Sequence, residues 1–117
     1  MSRHEGSCHC GAVQFSFEAA DTSVLACNCS MCGRTGALMV FVKQDSFTLD
    51  QGKDALQDYQ FGKKHIHHVF CSTCGLKPFS YGTDPSDGKD TYAVNMRCVH
   101  GYDVQAADPN WYDGAAL

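Results

Sequence analysis

The chain has 117 residues, with 13 Asp or Glu against 9 Lys or Arg, so its formal net charge at pH 7 is −4. This length fits a single domain over residues 1–117, and the acidic balance is opposite to the basic excess that nucleic-acid binding requires. Apolar residues make up 44% of the chain, enough for a core, but the longest apolar run, residues 37–42, is far shorter than a membrane span. Since the first residues contain no apolar leader segment, we expect a cytoplasmic protein with no membrane or nucleic-acid partner.

Short strands separated by turns are predicted along most of the chain. Alternation of apolar and polar side chains predicts a strand over residues 12–17, and a continuous apolar run predicts one over 37–42. The remaining predicted strands are 47–49, 56–61, 66–70, 77–81 and 91–99. Helical periodicity is weak, and the best helical candidate is the turn at 30–36. The chain is therefore predicted to be all-β.

Eight residues are cysteines, and seven of them fall into three clusters that are each followed by glycine. These clusters are Cys8-His9-Cys10-Gly11, Cys27-Asn28-Cys29-Ser30-Met31-Cys32-Gly33 and Cys71-Ser72-Thr73-Cys74-Gly75. A disulfide framework is the alternative, but cytosolic thiols stay reduced, and disulfides at such short spacing would be strained or redox-active. Two thiolates on a tight turn, followed by a glycine able to adopt positive φ, are typical of a metal site. Thiolate-rich sites favour zinc, with iron–sulfur as the lesser alternative.

The eighth cysteine, Cys98, is predicted to be a core residue. In the predicted strand 91–99, alternation places it on the same face as the apolar residues Val94 and Met96. A lone buried cysteine behaves as a small hydrophobic residue. Seven cysteines therefore remain as candidate ligands.

Seven thiolates cannot complete two four-cysteine sites. The two-cysteine clusters combine into one closed structural zinc site, made of Cys8, Cys10, Cys71 and Cys74. The other cluster, made of Cys27, Cys29 and Cys32, then holds a second zinc with one open position, which is the signature of a catalytic ion. In the alternative, a His, Asp or Glu elsewhere closes this second site and makes it architectural. The sequence thus predicts two zinc ions per chain.

The three cysteine motifs, together with Phe61-Gly62-Lys63-Lys64 and Asn110-Trp111, resemble the glutathione-dependent formaldehyde-activating enzyme family over residues 6–114. The match is most similar to the branch that also contains the centromere protein V domain. The resemblance implies an Mss4-like, or β-tent, fold with the same two zinc sites. It further implies a carbon–sulfur lyase that adds glutathione to formaldehyde, giving S-hydroxymethylglutathione. In the family a basic residue commonly follows the last cysteine at once, whereas here Gly33 precedes Arg34.

The two carboxylates of glutathione require cations, and Arg34 is the leading candidate for this contact, since arginine binds carboxylates in bidentate fashion. Lys64, beside Lys63 in a predicted turn, is the second candidate, and Arg97 either lines a pocket or faces water. The alternative for each is an ordinary solvated charge.

A cluster of histidines precedes the third cysteine motif, at His65, His67 and His68. A histidine here could transfer the proton that the addition reaction requires. The competing interpretation is that these are polar strand residues without a catalytic role.

The sequence is also compatible with a different function, that of a zinc-binding interaction module without enzymatic activity. An enzyme of the same mechanism that uses another thiol or aldehyde is a further alternative, because a shared fold and metal set do not determine the substrate.

Overall fold

The computed structural model describes residues 2–116, which form ten β-strands, one short α-helix and several 3-10 turns. The strands are β1 (Ser2–Ser7), β2 (Gln14–Ala19), β3 (Leu25–Cys27), β4 (Met39–Lys43), β5 (Phe47–Gln51), β6 (Leu56–Tyr59), β7 (His67–Cys71), β8 (Phe79–Thr83), β9 (Asp90–Asn95) and β10 (Asn110–Tyr112), and the helix α1 spans Cys32–Thr35. The prediction of a mostly-β fold is confirmed. None of the helices in residues 2–116 has the length and apolar character needed to cross a membrane.

The strands form two sheets. The smaller sheet has the order β1-β2-β5, and the larger has the order β10-β3-β4-β9-β8-β7-β6. Neighbouring strands are antiparallel, except that β10 runs parallel to β3. The hydrophobic core contains side chains from both sheets, because each sheet must bury its apolar face.

Aromatic rings connect the two sheets in the core. Phe15 of β2 lies 5.8 Å from Phe47 of β5, and Phe47 in turn lies 4.8 Å from Phe79 of β8, measured between ring centroids. Val40 and Val94 of the larger sheet belong to the same buried cluster. Since strand side chains alternate between faces, the residues between these core positions point to the outer face of the larger sheet.

Three strands were not predicted from the sequence, and each has a physical reason. β1 is largely polar and pairs through its backbone along six residues of β2, while β3 and β10 are only three residues long. Neither a polar edge strand nor a three-residue strand carries a readable hydrophobic alternation.

The last predicted strand, 91–99, is too long. β9 ends at Asn95, whose side-chain oxygen accepts a hydrogen bond from the Arg97 backbone N–H at 3.1 Å, and the chain then forms a 3-10 turn. Cys98 lies in that turn and is nevertheless buried, with 7% of its surface exposed. The prediction of Cys98 as a core residue is therefore confirmed. The strand on which that prediction was based, however, ends at Asn95, three residues before Cys98.

Candidate metal centres and the adjoining cavity

The first cysteine cluster connects the two sheets. Cys8 and Cys10 lie in the turn between β1 and β2, whereas Cys71 ends β7 and Cys74 lies in the turn that follows. Their four sulfur atoms lie within 4.8 Å of one another. We name this group the four-cysteine cluster.

The sulfur spacing in this cluster fits a tetrahedral metal. The Sγ atom of Cys10 lies 3.6 Å from those of Cys8 and Cys71. A zinc ion about 2.3 Å from each of four tetrahedral sulfurs places neighbouring sulfurs about 3.8 Å apart, whereas a disulfide requires about 2.05 Å. All eight cysteines have free thiols. The disulfide alternative therefore has no support in the structure.

The glycines after the cysteine motifs behave in two different ways. Gly11 and Gly75 adopt the left-handed conformation, with φ of 81° and 80°, as predicted for a glycine that ends a two-thiolate turn. For Gly33 the same expectation is wrong, because Gly33 lies inside α1 and the left-handed residue is Gly36, at φ 68°. The second cluster therefore ends in a turn of helix rather than in a tight turn.

The second cluster lies where β3 meets α1. Cys27 ends β3, Cys32 begins α1, and Cys29 lies between them. The three sulfur atoms lie within 4.8 Å of one another, and two are approached by backbone N–H groups, Cys29 N to Cys27 Sγ at 3.4 Å and Cys32 N to Cys29 Sγ at 3.3 Å. We name this group the three-cysteine cluster. Within residues 2–116 no His, Asp or Glu joins its set of donors.

The electrostatics of this cluster favour a bound dication. Burial, together with the hydrogen bond and negative charge of Cys29, raises the pKa of Cys32 to about 12. Three adjacent thiols therefore cannot all ionise near neutral pH by themselves. A metal ion removes this obstacle, because a coordinating thiol is deprotonated by the charge of the ion. The donor set and the spacing thus fit zinc in both clusters.

The C-terminal segment covers one side of the three-cysteine cluster. The side chain of Asn28 donates to Asp113 Oδ1 and accepts from the Ala115 backbone N–H, both at 2.9 Å. A Cβ atom at Gly114 would lie 2.5 Å from Cys27 Sγ, so only glycine allows this close approach. The sequence analysis missed this contact, since nothing in the local pattern connects residues 28 and 113.

On another side of the cluster, the outer face of the larger sheet forms a cavity of about 430 Å³. A row of paired residues crosses four strands along its floor, in the order Phe41, Ala93, Ser80 and His68. Cys29 and Cys32 line the same cavity. A small molecule in this cavity would therefore contact two of the three cysteine ligands. We name it the outer cavity.

The three histidines have different surroundings. His67 forms a 2.6 Å contact from Nδ1 to Asp58 and stacks on Tyr81, and His65 is exposed. His68 instead lines the outer cavity and stacks on Phe61 at 5.2 Å. The Nδ1 atom of His68 is buried without a hydrogen-bond partner. Burial, with the charge of Lys77 as a second cause, lowers the pKa of His68 to about 4, so its ring is neutral at pH 7.

The predicted cations lie outside the outer cavity. Arg34 donates from Nη1 to the Ser30 carbonyl at 2.9 Å and lines a recess with Tyr59 and Phe61. Arg97 donates from Nε to the Gly36 carbonyl at 2.8 Å, and it lines a different recess that includes Cys27 and Cys32.

The other two cations that concern this site are lysines. Lys64 is exposed in the turn after β6, with a positive φ of 57°. Lys77, which sequence reasoning missed, is half-buried beside the three-cysteine cluster. Burial lowers the pKa of Lys77, and the negative charges of Cys32 and Cys29 oppose this effect. The sequence does not indicate this position for Lys77, because residue 77 comes close to Cys32 only when the chain folds.

Comparisons with known proteins agree with this geometry. A family model described as "Glutathione-dependent formaldehyde-activating enzyme" matches residues 3–112. Among solved structures, the crystal structure of a Rhodobacter sphaeroides protein is similar to this chain, with 30% sequence identity and a TM-score of 0.80. The similarity covers 92% of this chain and 99% of the Rhodobacter chain.

Proposed function

This chain belongs to the glutathione-dependent formaldehyde-activating enzyme family, and from that premise we propose that it is a zinc-dependent carbon–sulfur lyase that joins glutathione to formaldehyde, giving S-hydroxymethylglutathione. The four-cysteine cluster would hold a structural zinc, and the three-cysteine cluster a catalytic one. The observation that carries this proposal is that Cys29 and Cys32, which belong to a three-donor cluster, also line a cavity, so that a molecule in it can reach the cluster.

A zinc ion in the three-cysteine cluster would supply an open coordination position and lower the pKa of a thiol that binds there. The protein then has to hold the reactants together, because orienting two reactants in one site accounts for a large part of catalysis. In the reaction, the sulfur of the thiolate attacks the carbonyl carbon and a carbon–sulfur bond forms. The electron pair of the C=O π bond moves to oxygen, and that oxygen takes up a proton.

Two side chains of this chain are placed to act on the carbonyl oxygen. The neutral ring of His68 lines the outer cavity, and Lys77 carries a positive charge close to Cys32. A hydrogen bond and a fixed positive charge both stabilise negative charge that develops on oxygen. We assign His68 the hydrogen bond to the substrate oxygen and Lys77 the electrostatic support.

The anionic groups of glutathione fit the two recesses beside the cluster. The recess that contains Cys27 and Cys32 also contains Arg97, and the recess that contains Arg34 begins at Met31, between the last two ligands. Each arginine uses one N–H group for a backbone carbonyl, which leaves further donors of the guanidinium group for a carboxylate. Lys64 contributes at longer range, from the turn after β6.

Cys32→Ser tests the proposed function directly. We expect kcat for the addition of glutathione to formaldehyde, measured above the spontaneous rate, to fall by more than about 100-fold, because changes that only perturb metal ligands already cost about 10- to 100-fold. Product formation is followed by NMR with 13C-labelled formaldehyde. The matched control is Cys98→Ala, which removes a buried thiol outside both clusters and should retain activity. Equal activity of the Cys32→Ser variant and the wild type would contradict the assignment.

The second candidate function is a zinc-binding interaction module, and one observation favours it. Trp111 lies on the terminal strand β10 of the larger sheet and is 74% exposed. Large aromatic residues are enriched in protein interfaces. A wild-type protein that contains two zinc ions and shows no turnover with glutathione and formaldehyde would favour this module over the enzyme.

A further inference from the structure

The outer cavity is larger and more apolar than its expected occupants require. Its volume of about 430 Å³ lies in the range of sites for whole small molecules, whereas formaldehyde contains a single carbon. The side chains around it are mostly apolar: Met31, Met39, Phe41, Phe61, Ile66 and Ala93. Formaldehyde would leave nearly all of this surface uncovered.

The charges around the outer cavity do not suit glutathione either. Among the described residues that line it there is no lysine or arginine. Its one carboxylate, Asp84, is already paired with Lys43 at 2.8 Å and accepts from the Ser86 hydroxyl at 2.8 Å. His68 is neutral at pH 7, since its pKa is lowered to about 4. Lys77, the lysine beside Cys32, does not line the outer cavity, and Arg34 and Arg97 line recesses that adjoin it. Carboxylates buried in the outer cavity would therefore have no cation in direct contact, which is costly.

The segment after β6 borders the outer cavity on the side away from the cysteines. The segment after β6 crosses over β8 at Gly82, where an added Cβ atom would lie 2.8 Å from both the His65 carbonyl oxygen and Ile66 Cδ1. Because position 82 has no side chain, Ile66 approaches the sheet, and Phe61 stacks over His68. The close approach of this segment to β8 therefore positions Ile66 and Phe61 as the apolar wall of the outer cavity.

We infer that the aldehyde substrate of this protein carries an apolar substituent, a linear or aromatic hydrocarbon group of several carbons, which occupies the outer cavity while the thiol enters from the recess of Arg97. This inference rests on the proposed function for the addition of a thiol to an aldehyde, and it replaces formaldehyde with a longer aldehyde as the preferred substrate. The aldehyde carbon would lie next to Cys29 and Cys32, where the cavity meets the three-cysteine cluster. Its hydrocarbon chain would extend along the row from Ser80 to Phe41.

The test compares aldehydes of increasing length with glutathione as the fixed thiol. We expect kcat/KM, divided by the rate constant for the uncatalysed addition of glutathione to the same aldehyde, to rise from formaldehyde through propanal and pentanal to heptanal, by up to about fourfold for each methylene that becomes buried. A direct binding measurement accompanies the kinetics. Heptanamide, an unreactive carbonyl compound with the same chain, should bind the zinc-loaded protein without thiol in isothermal titration calorimetry.

Variants at Phe41 separate cavity binding from the chemistry. Phe41 is 52% exposed at the rim of the outer cavity, so its replacement does not threaten the core. Phe41→Asp should weaken heptanamide binding, which involves no chemical step, and reduce kcat/KM for heptanal at least tenfold. Phe41→Leu should retain the preference for heptanal. Thr48→Asp, which adds the same charge on an exposed position of the smaller sheet, is the control and should change neither value.

Three outcomes would overturn the inference. If formaldehyde turns over normally, but longer aldehydes do not exceed it and heptanamide does not bind, the inference fails and the proposed function stands. If heptanethiol with formaldehyde is preferred over glutathione and aldehyde length has no effect, the apolar chain belongs to the thiol. If no aldehyde reacts with glutathione on the zinc-loaded protein, the proposed function fails and the inference fails with it.

Discussion

His68 illustrates how one side chain is changed by its surroundings. Its neighbour His67 is paired with Asp58, whereas the Nδ1 atom of His68 is buried without a partner beside the outer cavity. A buried polar atom without a hydrogen bond is costly, and such groups concentrate at functional sites. The alternation of a strand places adjacent histidines on opposite faces, so only one of the two reaches the cavity.

The pKa of His68 gives a prediction for the pH dependence of stability. The folded protein holds the pKa of His68 at about 4, below its ordinary value of 6.5, so between these values the unfolded chain binds more protons than the folded one. The contribution of His68 to the free energy of unfolding is therefore complete above pH 6.5 and is lost as the pH falls from 6.5 towards 4. We expect His68→Gln to flatten the stability profile in this range, measured by urea unfolding at several pH values.

The exposed residue His65 supplies the control for this prediction. His65→Gln makes the same substitution at an exposed position close in sequence to His68, and its stability profile should keep the slope of the wild type. An NMR titration that places the pKa of His68 at or above 6.5 would contradict the prediction.

At the level of elements, the three-cysteine cluster is held between segments distant in sequence. β3 carries Cys27 and the helix α1 begins at Cys32. The segment after β10 lies against Cys27 and the loop that follows it, through Gly114 and the hydrogen bonds of Asn28. The parallel pairing of β10 with β3 brings this segment to the cluster. The hydrogen bonds of Asn28 therefore connect the C-terminal segment to the metal-binding loop.

Asn28→Ala should loosen that connection. The variant loses the bonds to Asp113 Oδ1 and to the Ala115 backbone N–H, and a typical hydrogen bond contributes about 1 kcal/mol. We expect the Ala115 amide to exchange with deuterium about fivefold faster or more, as measured by NMR, while the amides of β8 are unaffected. Gln57→Ala, at an exposed position on β6, is the control. Unchanged protection of the Ala115 amide in the Asn28 variant would show that the segment is held by other contacts.

At the level of the whole molecule, the two cysteine clusters play different structural roles. The four-cysteine cluster joins the β1–β2 turn of the smaller sheet to the end of β7 in the larger sheet, and Cys10 and Cys71 lie 61 positions apart in the sequence. The three-cysteine cluster spans only residues 27–32 within the larger sheet and α1. Loss of metal from the first cluster should therefore separate the sheets, whereas loss from the second should be local.

Stepwise chelation tests this difference. We expect two zinc ions per chain by elemental analysis, one of which a mild chelator removes without a change in near-UV circular dichroism. The second should leave only together with the loss of that signal, since structural zinc stabilises small domains by on the order of 10 kcal/mol. Cys29→Ser should lower the zinc content to one and retain the fold, while Cys71→Ser should fail to fold. Simultaneous release of both ions with unfolding would instead indicate two closed, architectural sites.

A large part of this protein is determined by its sequence alone. Ligand chemistry depends on residue type and short spacing, so the cysteine motifs predict both clusters, the family and the partition of seven thiolates between two sites. Alternating apolar residues predict the mostly-β fold and most of its strands. These features are local, and local patterns can be read without knowledge of the contacts between distant segments.

The tertiary structure alone decided what surrounds the three-cysteine cluster. The row from Phe41 to His68 exists because β4, β9, β8 and β7 pair in one register, and Lys77 and Gly114 reach the cluster from far along the chain. Strand register and the crossing of segments depend on the burial of the whole core. For this reason the motifs predict the metal ligands, whereas the apolar character and size of the cavity beside them emerge only after the sheets have packed.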